Sequence, residues 1–285
     1  MIATTGFFDG VHCGHRLVAE RLVSEARKRG DGSLVVTFWP HPRAVLQDGA
    51  RELRLLTTLD EKKDLLHGLG VDRIEVLDFT RTFAALTAGE YLRLLKDRFG
   101  VTTLLMGYDN RIGSDRLTAS DLLPVAEGLG LELARVEALG DVPISSTKIR
   151  KALEEGKVEE ANGMLGYRYG LYGAVVAGNR LGRTIGFPTA NLQLYEPLKL
   201  IPGNGVYAVE AEVLGRSFRA MTNIGTRPTV GGTVRTVETH ILDFDEDIYG
   251  LPLRIRFLRR IRDEVRFPSL DALKAQLGKD REACR

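Results

Sequence analysis

Two folds in succession are predicted for this chain: an α/β domain on an open parallel sheet over residues 1–166, then an antiparallel sheet closed as a barrel over residues 167–285, finished by a helix. Three observations predict them. Apolar runs of strand length alternate with helical patterns as far as Gly166. From Tyr167 the hydrophobic period changes to two, and no helical pattern separates successive strands. The length of 285 residues exceeds the usual single domain, so each fold has enough chain for its own core.

The first domain opens with a short β-branched strand that runs through the glycine-rich turn 6–15 (GFFDGVHCGH) into a helical pattern over 16–29, closed by Gly30. Residues 33–39 (SLVVTFW) form a continuous apolar run, as a strand buried on both faces does, and Pro40-His41-Pro42 stops it. Thr58 and Glu61 make a capping box for a helix ended by Gly68 and Gly70, and a strand follows over 73–79. Thr87 and Glu90 repeat the box, and Tyr91, Leu94, Leu95 and Phe99 mark one apolar face before Gly100. A strand over 101–106, a weaker helix over 120–128 with Pro124 in its first turn, and a strand over 131–136 complete the alternation. Such an alternation builds a parallel sheet with right-handed crossovers, and ligands bind beyond the carboxyl ends of its strands. The turns 6–15, 40–43, 107–116 and 144–150 occupy that edge. Two short helices, about 147–155 and 158–165, end at Gly166, the expected domain boundary.

In the second domain, residues 169–177, 206–213, 218–223, 234–244 and 253–258 read as strands between glycine, proline and asparagine turns. Leu253, Ile255 and Phe257 alternate with Arg254 and Arg256, as in a half-buried strand. A last amphipathic helix, capped by Ser269, is expected to pack on the barrel through Leu270, Leu273 and Leu277.

Composition excludes several function classes. A formal charge of +2, from 40 basic against 38 acidic residues, leaves no broad electrostatic footprint for nucleic acid, and no aromatic stacking stripe is present. Cys13 and Cys284 are the two cysteines, which fits a reducing compartment. No apolar run reaches membrane-spanning length and the N-terminus has no signal-peptide pattern, so a cytoplasmic protein without membrane partners is expected.

The turn 6–15 carries the first candidate chemistry. A helix N-terminus presents unpaired N–H groups and the positive end of the helix dipole to an anion, above all a phosphate. Gly10 and Gly14 let the backbone approach it, and His12 and His15, three apart, are placed to donate to charge building on a phosphate oxygen as imidazolium. A plain αβ connection is the simpler reading. Zinc ligation by His12, Cys13 and His15 is disfavoured, because neighbours 12 and 13 point apart and no second ligand cluster follows. Across the same edge, residues 144–150 (ISSTKIR) place hydroxyls at a helix start with Lys148 and Arg150 in its first turn, where the dipole disfavours cations unless an anion lies between. An N-cap with solvated basic residues is the alternative there.

The second candidate is the stretch 182–191 (GRTIGFPTAN), too irregular for a strand and too apolar for an ordinary surface loop. It can offer N–H groups to phosphates, and Thr189 and Asn191 can ligate Mg2+; the Walker spacing GxxxxGK[ST] is absent. By period-two counting Glu238, His240, Leu242 and Phe244 share one strand face, where Glu238 is placed to act as a general base. Taken alone, Glu238 reads as one side of a cross-strand pair, His240 as structural, and residues 223–229 (NIGTRPT) as a turn.

These stretches together resemble the bacterial bifunctional riboflavin kinase/FAD synthetase family over essentially the whole length. The N-terminal matches are GFFDGVHCGH (6–15), TFWPHP (37–42), MGYDNRIG (106–113) and ISSTKIR (144–150). The C-terminal ones are GRTIGFPTANL (182–192), GVYA (205–208), NIGTRPT (223–229), ETHILDF (238–244), DIYG (247–250) and IRDEVRF (261–267). The resemblance implies a Rossmann-like nucleotidylyltransferase domain followed by a six-stranded flavokinase β-barrel. It implies that the barrel phosphorylates riboflavin to FMN with ATP and Mg2+, and that the α/β domain adenylylates FMN to FAD with release of pyrophosphate. ATP, riboflavin and FMN are then the partners, flavins being substrate and product, and a monomer or weak homo-oligomer is expected.

Residue by residue, the resemblance implies adenylylation by His12, His15 and Arg150, and kinase base chemistry by Glu238. It implies ATP contacts at Gly6, Phe8, Asp9, Gly10, Gly14, Asp109, Ser145, Ser146 and Thr147 in the first domain, and at Gly182, Gly186, Pro188 and Thr189 in the second. Flavin contacts fall on Asn223, Arg227, Arg262, Glu264 and Phe267, and Mg2+ ligation on Thr189 and Asn191. Two departures stand out. Asn110 and Ile112 replace an aromatic pair that family members often carry, altering one wall of the adenylylation pocket. The first strand starts almost at Met1, where members usually carry upstream residues, and a shortened edge is expected to loosen the domain. Rival readings are a flavokinase whose first domain has lost adenylylation, a nucleic-acid-binding barrel, and an adenylyltransferase for pantetheine phosphate or nicotinate mononucleotide; the last lacks a barrel with GFPTAN and ETHILDF.

Overall fold

The structure is a computed structural model that describes residues 1–46, 53–107, 111–136, 144–178, 181–229 and 232–285. Side chains at 181, 183, 227–229, 232 and 233 are outside that description. The chain forms two compact units, Met1–Ser146 and Thr147–Arg285.

The first unit is the expected parallel sheet. Its strands are β1 (Ile2–Thr5), β2 (Ser33–Trp39), β3 (Arg73–Asp78), β4 (Thr103–Met106) and β5 (Glu132–Arg135), in the order β3-β2-β1-β4-β5. Strand side chains alternate between faces. Ile2, Val35 and Leu105 therefore pack with α1 (Cys13–Arg29) and α3 (Leu59–Gly68) through Leu22, Val23, Ala26 and Leu66. Ala3, Leu34, Val36, Leu104 and Met106 pack with α5 (Ala88–Phe99) and α6 (Ala119–Gly128) on the other face. Both capping boxes form, Thr58 with Glu61 and Thr87 with Glu90. Two short helices, α2 (Pro42–Leu46) and α4 (Arg81–Ala84), fall where the sequence showed no period.

Two expectations are corrected here. β1 is the central strand, paired on both sides and buried at all four residues, so no loosened edge arises. Ile112 is 5% exposed and belongs to the α5–α6 core, so its side chain serves packing rather than a pocket wall. Asn110 and Asp109 lie outside the described residues.

The second unit is a closed antiparallel barrel in the order β10-β7-β6-β11-β8-β9. Its strands are β6 (Gly170–Val176), β7 (Ala190–Leu194), β8 (Gly205–Val213), β9 (Arg216–Thr229), β10 (Gly232–Ile241) and β11 (Pro252–Arg262). Strand β7 begins at the end of the stretch read as too irregular; it is five residues long and starts two residues after Pro188. Residues 223–229, read alone as a turn, continue β9 and pair with β10. The helices α7 (Ser146–Glu154) and α8 (Val158–Leu165) pack with the barrel, so the compact units divide earlier than the boundary expected at Gly166. Asn162 on α8 donates to Phe257 O at 2.9 Å and accepts from Tyr169 N at 2.7 Å. Between β6 and β7, α9 (Leu181–Thr184) is a single turn, and α10 (Leu270–Cys284) ends the chain under its Ser269 cap. Leu270 is exposed, against expectation; the face turned inward carries Leu273, Leu277, Asp280 and Cys284.

Candidate active sites

Sheet order reverses between β1 and β4, and the chain leaving β1 is the turn 6–15, so this turn stands at the switch point of the sheet. Its backbone is unusual. Phe8, Gly10 and Val11 take φ of 52°, 83° and 38°, left-handed conformations rare for a β-branched residue such as Val11. The surrounding structure holds them there. Asp9 is buried, and its Oδ1 accepts from Leu56 N at 3.0 Å and Thr57 N at 3.2 Å, while Gly10 N donates to Thr57 Oγ1 at 3.0 Å. Phe8 is buried in the α1 core. The side chains of Phe8 and Asp9 therefore build the turn from beneath. Gly6 N is bonded to Val36 O, so the amides of Gly6 and Gly10, expected at a phosphate, are engaged within the fold. Gly14 lies in the first turn of α1, where N–H groups lack intrahelical partners.

His12 is the N-cap of α1, its Nδ1 accepting from His15 N at 3.4 Å. That bond requires a lone pair on Nδ1, which places the proton of the neutral ring on Nε2. The two rings stack with centroids 3.7 Å apart, and Phe8 meets His15 edge-on at 5.1 Å. Burial first, then the neighbouring His12 and Lys62, hold the His15 pKa well below its usual value. His15 is therefore neutral at neutral pH, which corrects the expectation of an imidazolium. Its Nδ1 is enclosed without a partner.

Ser146 Oγ donates to Asp9 O at 2.9 Å, which brings the start of the segment 144–150 onto the first turn. Ser145 precedes it in the same unit; Thr147 and Arg150 lie on α7 in the second unit. Lys62 escaped the sequence reading. It is 1% exposed, its Nζ lies 3.9 Å from the Phe7 ring centroid and 3.3 Å from Thr37 Oγ1, and burial lowers its pKa to about 8 against the raising effect of Asp9. A lysine four residues before the buried Leu66 on one helix face was the available signal.

The barrel gathers its candidates by register. Asn191 on β7 stands opposite Glu238 on β10, Glu238 opposite Asn223 on β9, Asn223 opposite Val206 on β8, and Val206 opposite Arg262 on β11. Directly opposed residues share a face, so four expected site residues form one row across five strands. Glu238, Asn223 and Arg262 border a cavity of about 330 Å³, together with His240, Glu264, Phe267, Thr189 and Gly182. A second cavity of about 310 Å³ lies along Thr239 and Ile241, the alternate residues of β10, with Pro188, Phe244 and the acidic run 245–247. Thr189 borders both.

Two placements differ from expectation. Phe244 does not share the Glu238 face: β10 ends at Ile241, Asp243 turns at φ 54°, and Phe244 falls in the second cavity. Gly182, expected at ATP, borders the Glu238 cavity. A β-carbon there would collide with Phe187 O, and Phe187 N donates to Gly182 O at 2.8 Å, so the turn closes on itself at glycine. Arg262 grips the buried Asp280 of α10, with Nε to Oδ2 at 3.0 Å and Nη2 to Oδ2 at 2.8 Å, and lies over the Phe267 ring at 5.5 Å. Gly186 takes φ 85° in the turn before Phe187. The side chain of Arg227 is outside the described residues. His240 Nδ1 donates to Pro188 O at 2.8 Å, since a carbonyl can only accept, and burial lowers its pKa, leaving the ring neutral at neutral pH.

Thr189 and Asn191 offer a hydroxyl and an amide oxygen, hard donors of the kind Mg2+ takes. The Asn191 amide lies so close over Gly178 that a β-carbon there would collide with it, a close approach that holds the amide in place. The donor set fits the ion.

Comparison with known proteins agrees with this division. A riboflavin kinase family model matches residues 165–285 and a FAD synthetase family model matches residues 1–148. The bifunctional riboflavin kinase/FMN adenylyltransferase of Escherichia coli K12 is 40% identical over 100% of this chain and 91% of its own. That of Listeria monocytogenes is 37% identical over 100% and 91%, and that of Bacillus subtilis 34% identical over 99% and 90%. A crystal structure described as a macrolide-efflux protein from Streptococcus pneumoniae superposes with a TM-score of 0.94 at 36% identity, covering 100% of this chain and 93% of that one. Among the described residues of the present chain, no helix is long and apolar enough to cross a membrane. With both halves matched and full-length relatives well above 30% identity, the chain belongs to the bifunctional riboflavin kinase/FMN adenylyltransferase family.

Proposed function

We propose that this chain makes FAD from riboflavin in two steps, phosphoryl transfer in the barrel and adenylyl transfer in the α/β unit, each consuming one ATP. The observation that carries the kinase half is the pair of cavities on the two faces of β10, meeting at Thr189. Two substrates held on opposite sides of one strand can react only where the cavities join. ATP occupies the cavity of Pro188 and Thr239, with its phosphates toward Thr189, because the acidic run 245–247 repels them from the other end. Riboflavin occupies the cavity of Asn223 and Glu238, walled by Arg262, Glu264 and Phe267.

In the transfer, the ribityl hydroxyl oxygen bonds to the γ-phosphorus, the bond to the β-phosphate oxygen breaks, ADP leaves, and the hydroxyl proton passes to Glu238. Thr189 and Asn191 would hold Mg2+, which supplies neutralisation of phosphate charge when bound. Positioning and charge neutralisation are most of what phosphoryl transfer requires, and the cross-strand row Asn191–Glu238–Asn223 supplies the alignment.

In the α/β unit a phosphate oxygen of FMN bonds to the α-phosphorus of a second ATP and pyrophosphate leaves. The nucleophile is already ionised, so no base is needed. His12 donates from Nε2 to the departing phosphates, the end of α1 contributes its dipole, and Ser146, tied to Asp9 O beside them, offers its end of the segment 144–150 to the triphosphate. Adenylylation is assigned to residues 1–166 and phosphoryl transfer to residues 167–285. A cytoplasmic site of action, where ATP and Mg2+ are supplied, belongs to the same reading, and a chain with two cysteines suits it.

The test is incubation with riboflavin, ATP and Mg2+ followed by chromatographic separation of FMN and FAD over time. FMN should appear first and FAD after it. No FMN would sink the kinase assignment; FMN that never becomes FAD would sink the adenylyltransferase assignment.

A further inference from the structure

His240 is the polar side chain of the Glu238 cavity to which the reaction above gives no task. It stands two residues from Glu238 on the same face of β10, and both border the cavity. Its ring meets Phe187 edge-on at 5.3 Å, and its Nδ1–H is spent on Pro188 O at 2.8 Å. Pro188 is not in regular pairing, because β7 begins only at Ala190. The bond from His240 therefore fixes a stretch that the barrel ladder does not hold, directly before Thr189, the residue at which the two cavities meet.

Resting on the riboflavin kinase reading, we propose that His240 is a positioning residue of the phosphoryl transfer: by holding the Pro188 carbonyl it sets the Thr189 hydroxyl against Glu238. The chain between the two ends of this tie is short. Movement of Pro188 O is transmitted through one peptide unit to Thr189, whereas Glu238 sits rigidly on β10, paired on both sides with Asn191 and Asn223. Loss of the tie misaligns the reacting groups without removing either of them. Riboflavin binding, spread over the whole cavity wall, is little affected.

A histidine that merely fills space beside Phe187 is distinguished from this by choice of replacement. Asparagine carries an amide N–H at about the distance of Nδ1 from the backbone and can restore the bond to Pro188 O; leucine packs against Phe187 but cannot donate. The experiment measures kcat and KM for riboflavin, the riboflavin Kd by fluorescence quenching, and barrel melting, for the full chain and its H240L and H240N variants. For H240L, kcat is expected to fall by roughly tenfold to a hundredfold, the scale of a small misplacement at a reacting centre, with Kd for riboflavin within about threefold. H240N is expected to regain at least about half of that loss on a logarithmic scale. Unchanged kcat in H240L, equal losses in the two variants, or a loss lying wholly in riboflavin Kd or in melting would overturn the proposal. Absence of FMN from the unsubstituted chain would overturn the kinase reading itself, and the tie's role with it.

Discussion

Lys62 brings an ammonium group beneath the turn that carries His12 and His15, with the Phe7 ring and the Thr37 hydroxyl as close partners. Its pKa, lowered from 10.5 to about 8, means that the folded chain pays for a buried charge at neutral pH, on the order of 3 kcal/mol. Because the folded value lies below the unfolded one, the unfolded chain binds more protons between pH 8 and 10.5, and stability rises with pH across that window. Lys62→Met should therefore raise the melting temperature of the N-terminal unit at pH 7 and flatten its rise toward pH 10. The same change should slow FAD formation from FMN about tenfold, because the charge beneath the phosphate turn is lost; melting curves at the two pH values and an FMN-to-FAD assay check both halves. A destabilised Lys62→Met at pH 7 would contradict the burial argument. His12→Ala should suppress FAD formation and leave FMN formation intact, while Glu238→Gln should cut FMN formation about a hundredfold or more and leave FMN-to-FAD conversion intact. Measured side by side, loss of both activities in either variant would contradict two separate sites.

At the scale of elements, what the sequence disclosed followed periodicity and caps. The five parallel strands, the two capping boxes and Gly30 and Gly100 at helix ends were legible because each rests on local chemistry. Strand β7 was not, because Pro188 precedes it, it spans five residues, and its pairing partners β6 and β10 are distant in sequence. The extension of β9 through Pro228 was hidden for a related reason: a proline-containing stretch reads as a turn until its partner strand is known. The row Asn191–Glu238–Asn223–Val206–Arg262 depends on register around the barrel, which no local pattern encodes, and Asp9 could be seen turning inward only once residues 56 and 57 were placed beside it. Helix α10 shows how much an element can depend on one long-range pair. Leu270 is exposed, and the buried face includes Asp280, bidentate with Arg262 and also accepting from Gln276 at 2.8 Å. Removing one member of a buried ion pair leaves the other uncompensated and costs about 3–5 kcal/mol. Asp280→Ala should therefore destabilise the barrel by about that amount and weaken riboflavin binding, since Leu273 and Leu277 of the same helix border the cavity proposed for riboflavin. Chemical denaturation and flavin fluorescence titration measure the two effects; a stable variant with unchanged affinity would show that the helix docks by its apolar contacts alone.

For the whole molecule the open question is where one catalytic unit ends and the other begins. Sequence period changes at Tyr167, yet the second compact unit starts at Thr147 and includes α8 and all but the first residue of α7. The contacts explain why. Asn162 joins α8 to β11 and to the start of β6 through Phe257 O and Tyr169 N, Gly203 N donates to Leu153 O at 2.8 Å, and Arg260 Nη1 donates to Glu155 O at 3.3 Å. Leu153, Val158, Ala161 and Leu165 are fully buried. Helical periodicity places such residues on one face but cannot say which fold that face covers, so the sequence assigned these helices to the preceding α/β pattern. Each large apolar side chain among them contributes about 1.5–3 kcal/mol when buried, comparable in sum with the whole stability of a small domain. A fragment of residues 147–285 should therefore fold cooperatively and form FMN from riboflavin and ATP, whereas a fragment of residues 167–285 should melt at a markedly lower temperature or fail to fold. Thermal unfolding and FMN formation by the two fragments decide the matter. Equal stability and activity would place the functional boundary at Gly166 and reduce the helices to a linker; the expected difference would make them a structural part of the barrel, present in this chain before the first kinase strand begins.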